Sequence, residues 1–211
     1  MSRKKIEFEA RQQFIVEAAR QVYSKKGVEN ANMDDIAKAS EYTRRTLYSY
    51  FTSRDEISLM VLIEDLNKRW AKQKKEIASA VTGLDKIIIW GESLYDFTLR
   101  YPHSIRLQLY WDLKGIDKNR ISTGTFDSFE KINNDLAEGL REIFSLGVQD
   151  GSLRPDLQID ICISQYLYSI RGIINRAISE TYSFAQFDAN KYFKHYLDLF
   201  VRGVQNGSNQ S

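Results

Sequence analysis

Only two prolines, Pro102 and Pro155, interrupt 211 residues, and through most of the chain apolar residues return at intervals of three and four. Proline ends or kinks helices because it lacks an N–H and its ring crowds the preceding turn. A chain so poor in it, with that periodicity, is expected to be all-α. The hydrophobic share of 43% is enough for a core, and the length allows one or two domains at roughly 150 residues each. No stretch approaches ~18 consecutive apolar residues, so no membrane span is expected. The basic start, Met1 to Lys5, is followed by no apolar run, which argues against a signal peptide. A single cysteine, Cys162, can form no internal disulfide and suits a reducing compartment, so a cytoplasmic location is expected.

Helical punctuation is clearest in the first fifty residues. Ile15, Ala18, Ala19, Val22 and Tyr23 make one apolar stripe, extended upstream by Phe8. Gly27 is the expected C′ residue, with Val28 at C″ set to touch Tyr23 as in a Schellman cap. Asn32 is the next N-cap, with Asp34 and Asp35 favouring the dipole of a short helix that ends near Ser40. Thr43 caps another short helix, whose Leu47 and Phe51 face inward. Ser53-x-x-Glu56 is a capping box that opens a long helix through Ile57, Met60, Val61 and Trp70.

The second and third of these helices have helix-turn-helix proportions. In that motif the second helix enters the major groove by its N-terminal end. Thr43, Arg44 and Arg45 stand at that end, and Tyr48 and Ser49 follow. Arginine grips guanine bidentately, and Thr and Tyr hydroxyls bond phosphate oxygens. Residues 1–54 hold 11 Lys/Arg against 7 Asp/Glu, an excess of four, while the remainder holds 19 against 21. The positive charge therefore sits where a polyanion would meet it. Periodicity by itself leaves open a three-helix bundle with a solvated, charged exterior.

The residues "FIVEAARQVYSKKG" and "NMDDIAKASEYTRRTLYSYFTSRDEI" resemble the N-terminal DNA-binding domain of the tetracycline-repressor (TetR) family of bacterial transcription regulators. The likeness covers about residues 11–60 and rests on several spaced elements in order. It implies an all-α fold of about nine helices. Residues 1–54 would be a three-helix helix-turn-helix DNA-binding domain. The long fourth helix would join it to residues 55–211, a helical ligand-binding and dimerisation domain. By the same resemblance Arg44, Arg45 and Tyr48 contact bases and backbone, Thr43 caps the recognition helix and touches phosphate, Thr46 and Tyr50 contact backbone, and Arg54 replaces a phosphate-reaching lysine. Two positions depart from the pattern. Glu41 stands where the turn usually has Gly, and Glu resists a positive φ. Tyr42 replaces a small aliphatic residue, to pack inward or to extend the DNA surface.

Further along, helices are expected over 84–101, 102–114, 126–150, 157–182 and 188–205, with a frayed tail from Asn206. The last two are apolar over a wide band that includes Tyr166, Ile170, Ile174, Tyr196 and Phe200, with Gly172 suited to close helix approach. That band fills either the chain's own core or a two-fold dimer interface, and the resemblance implies a homodimer. The middle helices are rich in aromatic residues, among them Trp90, Tyr110 and Phe129. Thr98, Arg106, Asn133, Gln165 and Asn175 lie on or beside their apolar stripes. Buried polar groups need partners, which are other side chains, water, or a small apolar or aromatic ligand in a cavity. The basic run Lys68, Arg69, Lys72, Lys74 and Lys75 reads as a solvated face.

Chemistry has little support. The two histidines, His103 and His195, have no metal-ligand spacing, and no Walker loop, C-x-x-C or nucleophile elbow occurs. No catalytic residue, metal or cofactor is expected, and the chain is read as not an enzyme. The expected partners are a double-stranded DNA operator with palindromic half-sites, a second copy of the chain and an unknown effector, and no membrane. The expected function is a ligand-released repressor. The alternative is a small-molecule-binding protein of the same fold with vestigial DNA binding.

Overall fold

The structure is a computed structural model that describes residues 2–178 and 188–207. Nine α-helices occur among the described residues: α1 (Arg3–Lys26), α2 (Met33–Ala39), α3 (Arg44–Tyr50), α4 (Arg54–Ile77), α5 (Gly83–Arg100), α6 (Pro102–Lys114), α7 (Thr123–Gln149), α8 (Ile159–Ile178) and α9 (Ala189–Val204). One 3-10 turn, Lys118–Arg120, precedes α7. The expected end of α8 at Tyr182 and residues 208–211 of the expected tail lie outside the described residues.

The helix ends follow the caps in the sequence. The Asn32 side chain accepts from the Asp34 and Asp35 N–H groups, and Asp35 returns the bond to the Asn32 N–H. Pro102 opens α6, where its missing N–H removes a donor that has no helical partner in any case. The Asp188 side chain caps α9 on the Lys191 N–H. One cap differs from expectation. Gly27 has φ 76°, but its ψ of 159° carries the chain outward in an extended conformation, so α1 closes on one bond, Gly27 N–H to the Tyr23 carbonyl at 2.9 Å, and not on a Schellman pair.

The described chain divides into two compact units, Met1–Asn67 with Tyr101–Asn133, and Lys68–Arg100 with Asn134–Ser211. Unit 1 buries Ile15 and Ala19 of α1, Ile36 of α2, Leu47 of α3 and Ile57 and Val61 of α4 completely. Two polar clusters join its helices. Arg20 of α1 forms ion pairs with Asp65 and with Glu64 (2.5 Å) of α4, and His103 Nε2 of α6 lies 3.1 Å from Asp65. Glu56, in the first turn of α4, is the centre of the other. Its carboxylate accepts from the N–H groups of Thr52 (2.6 Å) and Ser122 (3.2 Å) and from the hydroxyls of Thr52 (2.7 Å), Thr125 (2.9 Å) and Ser122. The capping box is thus extended: Ser53 Oγ accepts the Glu56 N–H at 3.1 Å, while the carboxylate reaches back to Thr52 and across to α7.

Unit 2 is built on α5, α8 and α9 with the later parts of α4 and α7. The Tyr166 hydroxyl of α8 donates to the Ile87 carbonyl of α5 at 2.6 Å, directly beside Gly91, where a Cβ would overlap it. Tyr95 stacks on Phe193 at 4.2 Å, tying α5 to α9, and Phe200 packs on Tyr166 at 4.7 Å. The turn after α7 pins the end of α9: Arg154 N–H donates to the Val204 carbonyl at 2.9 Å and Asn206 N–H to the Ser152 carbonyl at 3.1 Å.

Three expectations change here. Tyr166, Ile170 and Ile174 are at most 1% exposed and belong to the chain's own core, because α8 turns that stripe onto α5 and α9; they are not available to a partner. A Cβ at Gly172 would meet nothing in the chain, so Gly172 is not a site of close approach within it. The basic run is not one solvated face. Lys68, Lys72, Lys74 and Lys75 are exposed, but Arg69 is only 5% exposed.

Candidate nucleic-acid interface

The turn before α3 decides where that helix points. Tyr42 N–H donates to the Ala37 carbonyl at 3.0 Å and Glu41 N–H to the Lys38 carbonyl at 3.4 Å, the paired bonds of a Schellman motif. Glu41 occupies its C′ position with φ 56°, among the described residues the one non-glycine with positive φ. The turn therefore keeps the backbone a glycine would give, at a steric cost. That cost is about 1–2 kcal/mol for an L-residue. Glycine would remove it and give back roughly 0.5–1 kcal/mol in unfolded-chain entropy. Glu41→Gly is expected to stabilise the protein by about 0.5–1 kcal/mol, read as a rise of about 2 °C in Tm. Tyr42 is half-buried, its ring edge-on to the exposed Phe14 of α1 at 6.1 Å.

Leu47 and Phe51 face the core at 0% and 3% exposure, so helical geometry turns the rest of α3 outward. Thr43 Oγ1 accepts the Thr46 N–H at 3.1 Å, and the two threonine hydroxyls lie 2.9 Å apart. Arg44, Arg45 and Tyr48 are exposed together. Arg44 rests against Asp34 of α2 at 3.3 Å, an exposed pair that a stronger anion can displace. Tyr50 is half-buried. Its hydroxyl accepts from Arg11 Nη1 at 3.4 Å and its ring packs on Phe8 at 4.7 Å. Arg11 therefore adds a cation from α1 beside α3, which helix-by-helix reading missed because the two are distant in sequence.

Arg54 is engaged elsewhere. Its Nη1 donates to the Val28 carbonyl at 3.0 Å and the Ala31 carbonyl at 2.6 Å, and its Nη2 to the Tyr110 hydroxyl at 3.0 Å. These bonds clamp the α1–α2 connection onto α4 and α6, a different task from the expected phosphate contact. Tyr110 is occupied by the same cluster, since Lys114 Nζ also donates to its hydroxyl at 2.8 Å.

The residues expected to line a ligand cavity divide between the units. In unit 1, Tyr110 and Phe129 are half-buried, Arg106 is exposed, and Asn133 Nδ2 donates to the Phe129 carbonyl one turn back at 2.9 Å. In unit 2, Gln165 and Asn175 are exposed because they fall on the outer side of α8, which removes the reason for placing them in a cavity. Thr98 is buried, but its hydroxyl is satisfied by the Leu94 carbonyl at 2.9 Å. Trp90 is buried, and its indole N–H has no partner among the described residues.

The sequence profile described as bacterial regulatory proteins, tetR family, matches residues 15–59, from the core of α1 into the first turns of α4. This N-terminal segment is similar to that of the tetR family. Among curated relatives, the HTH-type transcriptional repressor KstR2 of Mycolicibacterium smegmatis is 24% identical over 153 residues, covering 72% of each chain. The HTH-type transcriptional repressor NicS of Pseudomonas putida is 22% identical over 163 residues, covering 75% of this chain and 71% of NicS. Among solved structures, the transcriptional regulator FadR from Bacillus subtilis, in complex with stearoyl-CoA, superposes with a TM-score of 0.72 at 16% identity, covering 92% of this chain and 99% of that one. At that identity the likeness speaks for the fold.

Proposed function

We propose that this chain is a ligand-responsive transcriptional repressor that binds a palindromic DNA operator as a homodimer and is released by a small apolar or aromatic effector. The observation that carries the reading is the exposed set Arg44, Arg45 and Tyr48 at the start of a Thr43-capped helix, inside the segment that matches the family profile. Residues 1–54 read DNA in this proposal, and residues 55–211 bind the effector and form the dimer, in the cytoplasm. Base contacts come from Arg44 and Arg45. Backbone contacts come from Thr43, Thr46, Tyr48 and Tyr50, with Arg11 in support.

The partner face lies on the outer side of α8 and α9. Ile161 and Tyr168 are 51% and 72% exposed and one heptad apart on α8; Tyr192 and Leu199 are 53% and 55% exposed with the same spacing on α9. The half-buried Tyr196 and Phe200 lie between the latter pair and the core. Four large apolar side chains on two packed helices, α8 and α9, are what a two-fold helical interface covers. Tyr168→Glu with Leu199→Glu is expected to convert dimers to single chains in light scattering at micromolar concentration, with little change in Tm.

Release follows from a two-state equilibrium. An effector that binds one arrangement of the dimer more tightly draws the population to it. If that arrangement sets the recognition helices off the ~34 Å spacing of successive major grooves, both half-sites cannot be held at once. The test is selection of bound duplexes from random DNA, repeated in the presence of a metabolite library. Recovery of a two-fold symmetric sequence supports the reading, and failure to retain any duplex at low salt rejects it.

A further inference from the structure

Arg69 is the anomaly of unit 2. It is 5% exposed, its Nε has no hydrogen-bond partner, and no described carboxylate lies within ion-pair distance. Burial and the nearby charge of Arg171 on α8 push its pKa down to about 9, so it remains a cation at neutral pH. A guanidinium out of water and without a counter-charge is costly enough that proteins rarely keep one without a use. The acids of the same unit do not serve it. Glu76 pairs with Lys72 at 2.8 Å, and with Glu92 and Asp96 it lines an open cleft whose lining does not include Arg69.

One neighbouring acceptor is unused: the buried Gln73 Oε1 has no partner. Gln73, one turn along α4 on the same face, is fully buried and uses its Nε2 on the Trp90 carbonyl at 3.2 Å. The Trp90 indole N–H is buried and unpartnered, and its ring lies 5.8 Å from that of Tyr166 in an apolar setting. The charge of Arg171 on α8 reaches Arg69 on α4, and two buried N–H donors, Arg69 Nε and Trp90 Nε1, make no hydrogen bond.

We infer that unit 2 binds an amphipathic oxyanion, a carboxylate or phosphate head group on an apolar body, with Arg69 as the buried counter-charge, Arg171 as a second cation and the Trp90 N–H as a directing donor. This rests on the reading of unit 2 as effector-binding and narrows the effector to an anion. Head and tail divide the work: the body is held by burial, and the charge selects against neutral molecules of the same shape.

The test compares three probes of one chain length, decanoate, decyl phosphate and decan-1-ol, by thermal shift and calorimetry on the full chain. Variants are Arg69→Met, Arg69→Lys and Arg171→Met. At least one anionic probe is expected to bind wild type more tightly than decanol, and which one identifies the head group. Arg69→Met should weaken it roughly 30-fold or more, leave decanol unchanged and not lower the ligand-free Tm, while Arg69→Lys keeps part of the preference. Equal binding of all three probes to wild type overturns the inference, even if no variant folds. So does an anion preference that survives Arg69→Met, or a lowered ligand-free Tm in that variant. Binding to selected duplexes is measured alongside. An anion preference in a protein that holds no DNA rejects the repressor and leaves the anion site; DNA binding without anion preference does the reverse.

Discussion

Arg44→Ala together with Arg45→Ala is expected to lower affinity for the selected operator by about 10²- to 10⁴-fold and leave the fold intact. Each arginine that grips a guanine edge is worth roughly 1–3 kcal/mol of binding, and loss of any phosphate contact also flattens the salt dependence by about one unit of slope. Stability should change by less than about 0.5 kcal/mol, because both side chains are exposed and the Arg44–Asp34 pair is a surface contact. Fluorescence anisotropy at several salt concentrations reads the binding, and a thermal melt serves as the control. Loss of only a few-fold, equal for operator and random DNA, would mean that α3 supplies general charge and no base reading.

The second large effect concerns stability. Glu56→Gln is expected to destabilise unit 1 by about 2 kcal/mol at neutral pH, since hydrogen bonds to a charged group contribute roughly 1.5–3 kcal/mol and the amide would turn an N–H₂ toward donors. The Thr52 and Ser122 N–H groups and the Thr125 hydroxyl would then lose a shared acceptor. Burial pushes the Glu56 carboxyl up, but the bonds from Ser122, Thr52 and Thr125 outweigh it and hold its pKa below the usual value. A depressed pKa means that its contribution is complete above the unfolded value of about 4.3 and fades as pH falls through the folded one. Asp35, Glu76 and Asp150 are depressed as well, so total stability falls in acid for several reasons. The difference between wild type and Glu56→Gln isolates this carboxylate. It should shrink as urea denaturation is carried from pH 7 to pH 3, and a constant difference would show that the charge is not what holds Thr52 to the start of α7.

Much of this molecule was legible in its sequence because the signals are local. Asn32, Thr43, Pro102 and Asp188 mark helix starts through bonds or dihedral limits that span at most four residues. The exposure of Arg44, Arg45 and Tyr48 follows from Leu47 and Phe51 facing inward on the same short helix. Glu41 was legible as a difficulty but not in its resolution. Its own preference resists φ 56°, and the bonds from Glu41 and Tyr42 back to α2 hold it there regardless.

What failed in the reading failed at longer range. Arg54 looks like an exposed cation by sequence, yet the carbonyls of Val28 and Ala31 are what it meets. Arg69 sits among four exposed lysines, and only its place on the buried stripe Leu62, Leu66, Arg69, Gln73 gave a sign that it turns inward. Tyr166, Ile170 and Ile174 could equally have faced a second chain until α5 and α9 were seen to cover them.

The sequence by itself determined the helices among the described residues, most of their N-terminal caps and the outward arginines of α3, because hydrogen bonds between near neighbours and the 3.6-residue period carry that information. Tertiary structure alone decided which charge is buried, which acceptor Arg54 meets and which apolar stripe stays exposed. Those outcomes depend on groups tens of residues away, and no local pattern specifies which helix will cover a given face.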